Sequence, residues 1–453
     1  MQPLRCALVL VAVCAFVQGG SYDYADVIKK SLLFYQAQRS GRLSGMDPLV
    51  SWRKDSALND RGNNGEDLTG GYYDAGDFVK FGFPMAYTIT LLSWGVIDYE
   101  NTYSSIGALS AARAAIKWGT DYFIKAHVSA NELYGQVGNG GADHSWWGRP
   151  EDMNMDRPAY KIDTSRPGSD LAAETAAAMA AASIVFKNAD SNYANTLLRH
   201  AKELYNFADN YRGKYSDSIS DAAAFYNSYS YEDELVWGAI WLWRATNDQN
   251  YLNKATQYYN QYSIQYKNSP LSWDDKSTGA SALLAKLTGG DQYKSAVQSF
   301  CDGFYYNQQK TPKGLIWYSD WGSLRQSMNA VWVCLQAADA GVKTGEYRSL
   351  AKKQLDYALG DAGRSFVVGF GNNPPSHEQH RAASCPDAPA ACDWNTYNGG
   401  QSNYHVLYGA LVGGPDANDY YNDVRSDYVH NEVACDYNAG FQNVLVSLKA
   451  NGY

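Results

Sequence analysis

The sequence has 453 residues and a formal net charge of −9 at pH 7, and 14% of its residues are aromatic. The acidic balance argues against a nucleic-acid partner, because binding to phosphates needs a basic face. The 37 tyrosines and 13 tryptophans predict an extended ligand surface in addition to a core.

Residues 1–20 are predicted to be a secretory signal peptide. Met1 to Arg5 is short and basic, and Cys6 to Val17 is an apolar run that is too short to span a bilayer. Small residues follow it and suit cleavage. We therefore expect a secreted, extracellular mature chain, residues 21–453, with no membrane partner.

Helical periodicity recurs along the whole mature chain. Residues 23–40 form the first predicted helix, which ends at a glycine. Further helices are predicted at 84–97, 107–127, 168–187, 191–211, 231–246, 249–264, 277–288, 291–308, 321–341, 346–359 and 437–450. Strand-like alternation is nearly absent, and no linker divides the chain. The pattern predicts a single all-α domain, and an α/α toroid of six helical hairpins fits the helix count best.

Five cysteines remain in the mature chain, at positions 301, 334, 385, 392 and 435. Because the number is odd, at least one thiol stays free or pairs outside the chain. Cys385 and Cys392 bracket a proline-rich loop and are expected to form a disulfide bond in an oxidising compartment.

A long loop after the first helix contains the segment Gly70 to Phe81, in which Asp74 and Asp77 stand among glycines and aromatic residues. Glycine lets the backbone turn tightly where side chains must converge, and the two carboxylates could polarise one shared water. The alternative is a tight turn in which the aspartates bind backbone amides.

A second acid-rich and aromatic segment, residues 421–440, lies near the C-terminus. Hydrolysis of an acetal needs one carboxylic acid to protonate the leaving oxygen and one carboxylate to activate water. The two distant segments could supply these groups. The alternative is that Asp427 or Glu432 interacts with the dipole of the last helix.

Both segments resemble the signatures of glycoside hydrolase family 9, the inverting cellulases with an (α/α)6 barrel. The pattern aromatic-x-Asp-x4-aromatic-x3-Glu-x-Ala-x3-Asn-Ala is matched from Tyr421 to Ala439. The resemblance extends over the mature chain, and the linkerless animal endoglucanases look most similar. It implies that Asp77 is the catalytic base, that Asp74 helps to hold the attacking water and that Glu432 is the acid.

The family resemblance implies a monomeric endo-β-1,4-glucanase that cuts internal bonds of cellulose-like glucans with inversion. Base and acid should then lie about 6.5–9.5 Å apart, and the pKa of the acid should be raised. One alternative is a glucan-binding protein that has kept the fold and lost turnover. Another is an exo-acting glycosidase or a polysaccharide lyase on the same barrel.

A third family block spans Ser365 to Arg381 and departs from the family pattern. Glu378 and Gln379 stand where the family has proline and histidine, while Arg381 is kept. A glutamine still forms hydrogen bonds but carries no proton charge, so binding is expected to survive and turnover is in doubt. Zinc binding by His377 and His380 is disfavoured because their spacing is not that of a zinc-binding helix.

The resemblance also implies a set of substrate-binding residues, for each of which packing in the core is the alternative. The set consists of His144, Trp147, Tyr226, Tyr229, Trp321, Arg325, Gln379, His380, Arg381, Asp423, Asp427, Tyr428 and Tyr437.

A calcium site with a structural role is the implied metal site. Ser230, Asp233, Glu234 and Asp274 resemble the family's calcium loop, which is one residue shorter here, and hard oxygen ligands suit Ca²⁺. The alternative is that Asp233 and Glu234 stabilise the positive end of a helix.

Overall fold

Twelve helices of at least twelve residues form the frame of the computed structural model, which describes residues 22–453. In chain order they are α1 (Tyr24–Ala37), α2 (Gly82–Ser105), α3 (Leu109–Ala126), α4 (Ser169–Phe186), α5 (Ser191–Asn210), α6 (Glu232–Thr246), α7 (Gln249–Gln261), α8 (Ser277–Thr288), α9 (Asp291–Asp302), α10 (Ser323–Asp339), α11 (Thr344–Asp356) and α12 (Cys435–Ala450). The predicted signal peptide lies outside the described residues.

Six of these helices form a closed inner ring. Helices α2, α4, α6, α8, α10 and α12 each contact the next, and α12 contacts α2. Helix α4 is apolar and long enough to cross a membrane, yet 94% of it is buried inside the fold. A helix that is apolar on all sides belongs in a core, and α4 has that place in the ring.

The other six helices surround the ring, and each packs mainly on one inner helix. Helix α5, for example, buries Leu197, Ala201, Leu204 and Ala208 at a spacing of three or four residues. The sixth pair joins the two ends of the chain, because α1 packs on α12. The predicted fold, a single-domain (α/α)6 barrel, is confirmed.

Aromatic side chains fill the centre of the ring. The ring of Trp94 lies edge-on to those of Trp237, Trp241 and Trp332, at centroid distances of 5.0–5.8 Å. These residues come from α2, α6 and α10, so three inner helices meet in one buried cluster. Edge-to-face pairs of this kind add to the free energy gained from burial.

Two features differ from the predicted helices. Helix α2 continues to Ser105 instead of ending at 97, and Tyr99 has non-helical dihedral angles (φ −131°, ψ 32°) just beyond the predicted end. The predicted helices 291–308 and 346–359 both end in a π-helical turn. These turns are Gly303–Asn307, which follows α9, and Tyr357–Asp361, which follows α11.

A small antiparallel sheet lies beside the barrel, where almost no strand was predicted. Its strands are β1 (Lys80–Phe81), β2 (His127–Ser129), β3 (Glu132–Val137) and β4 (Ala159–Ile162), and each of the others pairs with β3. Strands this short have too few residues for a visible alternation. Because β1 begins at Lys80, the sheet holds the end of the segment that carries Asp74 and Asp77.

Short helical turns occupy the loops. They are Pro48–Val50, Gly140–His144, Pro150–Asp152, Tyr215–Ser218, Ser220–Ala223, Ile264–Tyr266, Arg381–Ser384, Trp394–Asn398 and Tyr428–Asn431. The Cys385–Cys392 disulfide bond is present as predicted. A second bond, Cys301–Cys334, joins α9 to α10 and was not predicted, and Cys435 is free and buried.

Candidate active site

Three segments that are distant in the sequence meet beside the start of α12, where backbone hydrogen bonds join them. The amide of Cys435 donates to the carbonyl of Asp74 (2.9 Å), and the amide of Arg381 donates to that of Gly76 (3.1 Å). Gln379 forms a parallel bridge with Glu432. These bonds place the first acidic segment, the third family block and the second acidic segment around one site.

Gly76 lets two of these segments touch. A Cβ atom at this position would lie 2.1 Å from the carbonyl oxygen of Gln379, closer than any real side chain approaches. The glycine is therefore required by the close approach of the two backbones, and not by an unusual φ angle.

Asp77 is 8% exposed and is held as a carboxylate. Its Oδ2 atom lies 3.2 Å from Nε2 of His144, and its Oδ1 atom accepts from the amide of Ala75 (3.1 Å). Burial by itself would raise the pKa of Asp77, but the hydrogen bond and the charge of His144, with the charge of Arg381, outweigh burial and lower it.

Asp74 has the opposite protonation preference. Its Oδ2 atom accepts a hydrogen bond from the hydroxyl of Tyr226, and its buried Oδ1 atom has no hydrogen-bond partner among the described residues. Burial, and then the charge of Asp77, raise the pKa of Asp74 well above its usual range. The pair therefore holds one negative charge, on Asp77, and one proton, on Asp74.

Glu432, the third acid of the site, lies between the short helix Tyr428–Asn431 and α12. Its Oε2 atom accepts from Nε1 of Trp321 (2.8 Å) and from the hydroxyl of Tyr437 (3.0 Å). Burial raises the pKa of Glu432 above its ordinary value, although both of these hydrogen bonds lower it. The charge of Asp77 adds to the rise, so Glu432 keeps its proton to a higher pH than an ordinary glutamate does.

Arg325 and Tyr437 support Glu432. The guanidinium of Arg325 pairs with Asp436 (3.1 Å) and lies over the ring of Tyr437, 5.0 Å from its centroid. Tyr437 is 2% exposed, and its hydroxyl is the part that reaches the site through Glu432. Neither Asp427 nor Glu432 is the N-cap residue of α12, because Ala434 occupies that position.

Asp143 belongs to the site and was missed by the sequence analysis. It is 1% exposed, accepts from the amide of Phe78 (3.2 Å) and pairs with Arg381. Arg381, itself 4% exposed, therefore supports the segment that carries Asp77, and its predicted role as a substrate contact stays a prediction. The position of Asp143 directly before His144 was the available signal.

His380 and Trp147 are buried and form hydrogen bonds inside the protein, and their predicted roles as substrate contacts stay predictions. His380 is 2% exposed, donates from Nε2 to Oε1 of Gln38 (2.7 Å) and accepts at Nδ1 from the amide of Ala383. Trp147 is 3% exposed and donates from Nε1 to the hydroxyl of Ser384 (3.1 Å). Both side chains pack against the short helix Arg381–Ser384.

Three predicted aromatic residues are open to solvent, as a ligand surface requires. Tyr229 is 82% exposed, Trp321 49% and Tyr428 48%, and the last two rings lie 5.4 Å apart. Such faces suit stacking on the apolar face of a sugar ring.

The remaining predicted contacts have mixed surroundings. Asp423 accepts from the amides of Ser376 (2.9 Å) and His377 (3.1 Å), and Asp427 accepts from the ring of His430. These two carboxylates therefore hold loops of the site. Gln379 is half-buried beside Glu432, and its role as a contact stays a prediction.

The residues predicted to bind calcium lie around a buried lysine. The ammonium of Lys276 is 2.9 Å from Oε1 of Glu234, and Oδ2 of Asp233 accepts from the amide of Lys276 (2.6 Å). Asp274 accepts from the amide of Tyr229, and Ser230 accepts from the hydroxyl of Ser228 through its carbonyl.

The donor chemistry at this place suits Ca²⁺, but the placement fits it only in part. Oε2 of Glu234 is buried and has no hydrogen-bond partner among the described residues. Burial raises the pKa of Asp233 to about 7 and that of Asp274 to about 6, so both carboxyl groups are protonated more readily here than in water. However, the three predicted carboxylates are not among the described groups whose ligand atoms all lie within 4.8 Å of one another.

A helical-hairpin barrel that carries two acids of opposite pKa shift beside open aromatic rings has the groups that hydrolysis of a glycoside needs. Residues 24–445 match the profile of Glycosyl hydrolase family 9. The chain therefore belongs to this family, and the predicted family and enzyme class are confirmed.

Known proteins show the same relationship over the whole described chain. A solved endoglucanase from the termite Nasutitermes takasagoensis is 64% identical, with a TM-score of 0.95, and the match covers 96% of this chain and all of that one. A cellulase of C. cellulolyticum, solved in complex with cellobiose, is 36% identical, with a TM-score of 0.87 and coverage of 95% and 100%.

One relative known from its sequence is longer than this chain. Endoglucanase A of Bacillus pumilus is 48% identical over 445 residues, which are 94% of this chain and 66% of the relative. The chain thus spans about two thirds of that relative's length.

We predict that Gly76→Ala lowers glycoside hydrolase activity by about a hundredfold, because a displacement of about 1 Å in catalytic groups costs that much. The new methyl group would push the backbone at Gln379 away from Asp77. The measurement is the initial rate at saturating substrate. Gly303→Ala is the matched control, since its Cβ would meet nothing within 4 Å. Equal rates in the two variants would show that the close approach at Gly76 is not needed.

Proposed function

We propose that this chain is a secreted endo-β-1,4-glucanase that hydrolyses internal bonds of cellulose-like glucans with inversion at the anomeric carbon. The observation that carries the proposal is the opposite protonation preference of two acids in one site. The pKa of Asp77 is lowered and that of Glu432 is raised, as a base and an acid require.

In the proposed reaction, the carboxylate of Asp77 removes a proton from water while the water oxygen attacks the anomeric carbon. Glu432 donates its proton to the glycosidic oxygen on the opposite face, so that the bond from carbon to the leaving oxygen breaks as the new one forms. Asp74, protonated and held by Tyr226, orients the water. The site then returns to its starting state when Glu432 regains the proton that Asp77 holds.

Three observations support a glucan as the substrate. Tyr229, Trp321 and Tyr428 offer open aromatic faces, which bind the hydrophobic face of a pyranose. Trp321 also donates to Glu432, so one wall of the cleft is bonded to the acid. Relatives of this chain carry the names endoglucanase and cellulase, and one was solved with cellobiose.

The alternative of a glucan-binding protein without turnover is less well supported. It rests on Gln379 alone, whereas Asp74, Asp77 and Glu432 are all present and gathered at one site. The amide of Gln379 donates to the carbonyl of Asn431 (2.9 Å), so its backbone still supports the segment of the acid. The relatives also speak against an exo-acting glycosidase or a lyase.

The proposal includes the features that the sequence analysis predicts for the chain as a whole. Residues 1–20 direct export, and residues 21–453 act outside the cell as a monomer, without a nucleic-acid or membrane partner. The support is the basic and apolar pattern of the first segment and the acidic net charge.

We predict that Glu432→Gln lowers the release of reducing sugar from carboxymethyl cellulose and barley β-glucan by at least about a hundredfold, because the leaving oxygen is no longer protonated. The amide keeps the size of the side chain. Glu100→Gln, at an exposed Arg113 pair (3.3 Å), is the control and should keep the wild-type rate. Wild-type protein that binds these glucans without cleaving them would favour the binding-protein alternative, and Gln379→His would then be expected to restore turnover.

We predict that His144→Asn moves the acidic limb of the pH–rate profile to higher pH. His144 lowers the pKa of Asp77 through its hydrogen bond and charge, so its loss raises that pKa and the base becomes protonated at a higher pH. The measurement is kcat/KM against pH for both proteins. An unchanged acidic limb would mean that Asp77 is not the base.

We further propose a structural calcium ion held by Ser230, Asp233, Glu234 and Asp274. Calcium at a hundredfold excess over its Kd should stabilise the metal-free protein by about 2.7 kcal/mol and raise Tm by a few degrees. Asp274→Asn should abolish that rise. If calcium leaves the Tm of the wild-type protein unchanged, Lys276 suffices to balance these carboxylates and the calcium prediction is wrong.

A further inference from the structure

Two histidines and a glutamate form a cluster on the outside of the barrel that the proposed reaction does not use. His127 begins β2, directly after α3, and His200 and Glu203 lie three apart on one face of α5. One ligand atom from each residue lies within 4.8 Å of the other two. His127 is 5% exposed and His200 is 7% exposed.

The hydrogen bonds at the cluster fix which nitrogen carries each proton. Nη2 of Arg199 lies 2.9 Å from Nε2 of His200, and since arginine can only donate, Nε2 accepts. The proton of neutral His200 is then on Nδ1, which faces Nδ1 of His127 at 2.7 Å. Consequently His127 carries its proton on Nε2, a buried atom without a hydrogen-bond partner among the described residues.

Both imidazoles are neutral at pH 7 and so have the lone pairs that a metal ion requires. Burial lowers the pKa of His127, and burial together with the charge of a protonated His127 lowers that of His200 to about 4. The two Nδ1 atoms, which form a hydrogen bond at 2.7 Å, therefore face one small space that the carboxylate of Glu203 also reaches.

We propose that His127, His200 and Glu203 form a binding site for zinc, with a water molecule as the fourth ligand. Two imidazoles and one carboxylate are a ligand set that zinc prefers, whereas calcium prefers oxygen atoms alone. Two nitrogens that bind one tetrahedral zinc lie about 3.3 Å apart, given bonds of about 2.0–2.1 Å. The rings therefore need to separate by about half an ångström from the present 2.7 Å and to turn so that both lone pairs point at the metal.

Zinc binding leaves the number of protons on the cluster unchanged. The proton of His200 moves from Nδ1 to Nε2, which frees Nδ1 for the metal and leaves the count of protons unchanged. Arg199 then turns from His200 into solvent, where its side chain is already 58% exposed, and it can keep its pair with Glu203 (3.0 Å). The carboxylate of Glu203 offsets part of the charge of the ion.

The site would stabilise the fold and take no part in the chemistry. Zinc would join the start of β2 to the outer helix α5, and β2 pairs with β3, as does β1. Strand β1 follows the segment of Asp74 and Asp77, so the metal would anchor the sheet that holds that segment.

The test is zinc titration of metal-free full-length protein, followed by calorimetry and by Tm. We expect one zinc site and a rise in Tm of a few degrees at a hundredfold excess over Kd. His200→Asn should abolish both effects. Glu203→Gln should weaken zinc binding by at least about tenfold, because losing even a group that only hydrogen-bonds to a metal ligand costs that much. Glu100→Gln, which removes the charge of Glu100 from its exposed pair with Arg113, should bind zinc like the wild-type protein.

The experiment must distinguish zinc at the proposed site from zinc at a second group of possible ligands. Asp77, Asp143 and His144 also lie within 4.8 Å of one another, and zinc there would inhibit hydrolysis. Binding that survives His200→Asn and is lost in His144→Asn would overturn the proposal, as would a wild-type protein that binds no zinc. If His200→Asn fails to fold by circular dichroism, Glu203→Gln decides, since its change lies at a partly exposed position.

Discussion

The site depends on one electrostatic constraint: Asp74 and Asp77 are buried side by side and cannot both be ionised. His144 fixes the charge on Asp77, and the hydroxyl of Tyr226 bonds to Asp74, which keeps its proton. The same negative charge on Asp77 helps to raise the pKa of Glu432. The negative charge of Asp77 thus helps to raise the pKa of both neighbouring acids, Asp74 and Glu432. The protonation of the proposed acid therefore depends in part on the charge of the proposed base.

The barrel brings together the segments that carry the three acids. Asp77 and Glu432 are far apart in the sequence. Their segments meet because α1 packs on α12 and because backbone hydrogen bonds join the segments. Gly76 permits the closest of these contacts. A site assembled from both ends of the chain needs the whole ring of helices to be complete.

The sequence predicted the helices, the family and the three acids, because helical periodicity and long motifs are local patterns. It could not predict which side chains of these motifs are buried. His380 and Trp147 lie within motifs that point to a ligand, yet bonds to Gln38 and Ser384 direct them into the interior. Asp143 was missed because its partner, Arg381, is distant in the chain. Such orientations depend on tertiary contacts.

The most direct test of the central claim is the anomeric configuration of the first product, followed by proton NMR during early hydrolysis of a soluble cello-oligosaccharide. If Asp77 activates a water on the face opposite Glu432, the new reducing end is the α-anomer, and the β-anomer follows only by mutarotation. A β-anomer formed first would mean that a carboxylate attacks the sugar itself, and it would contradict the assignment of Asp77 as base.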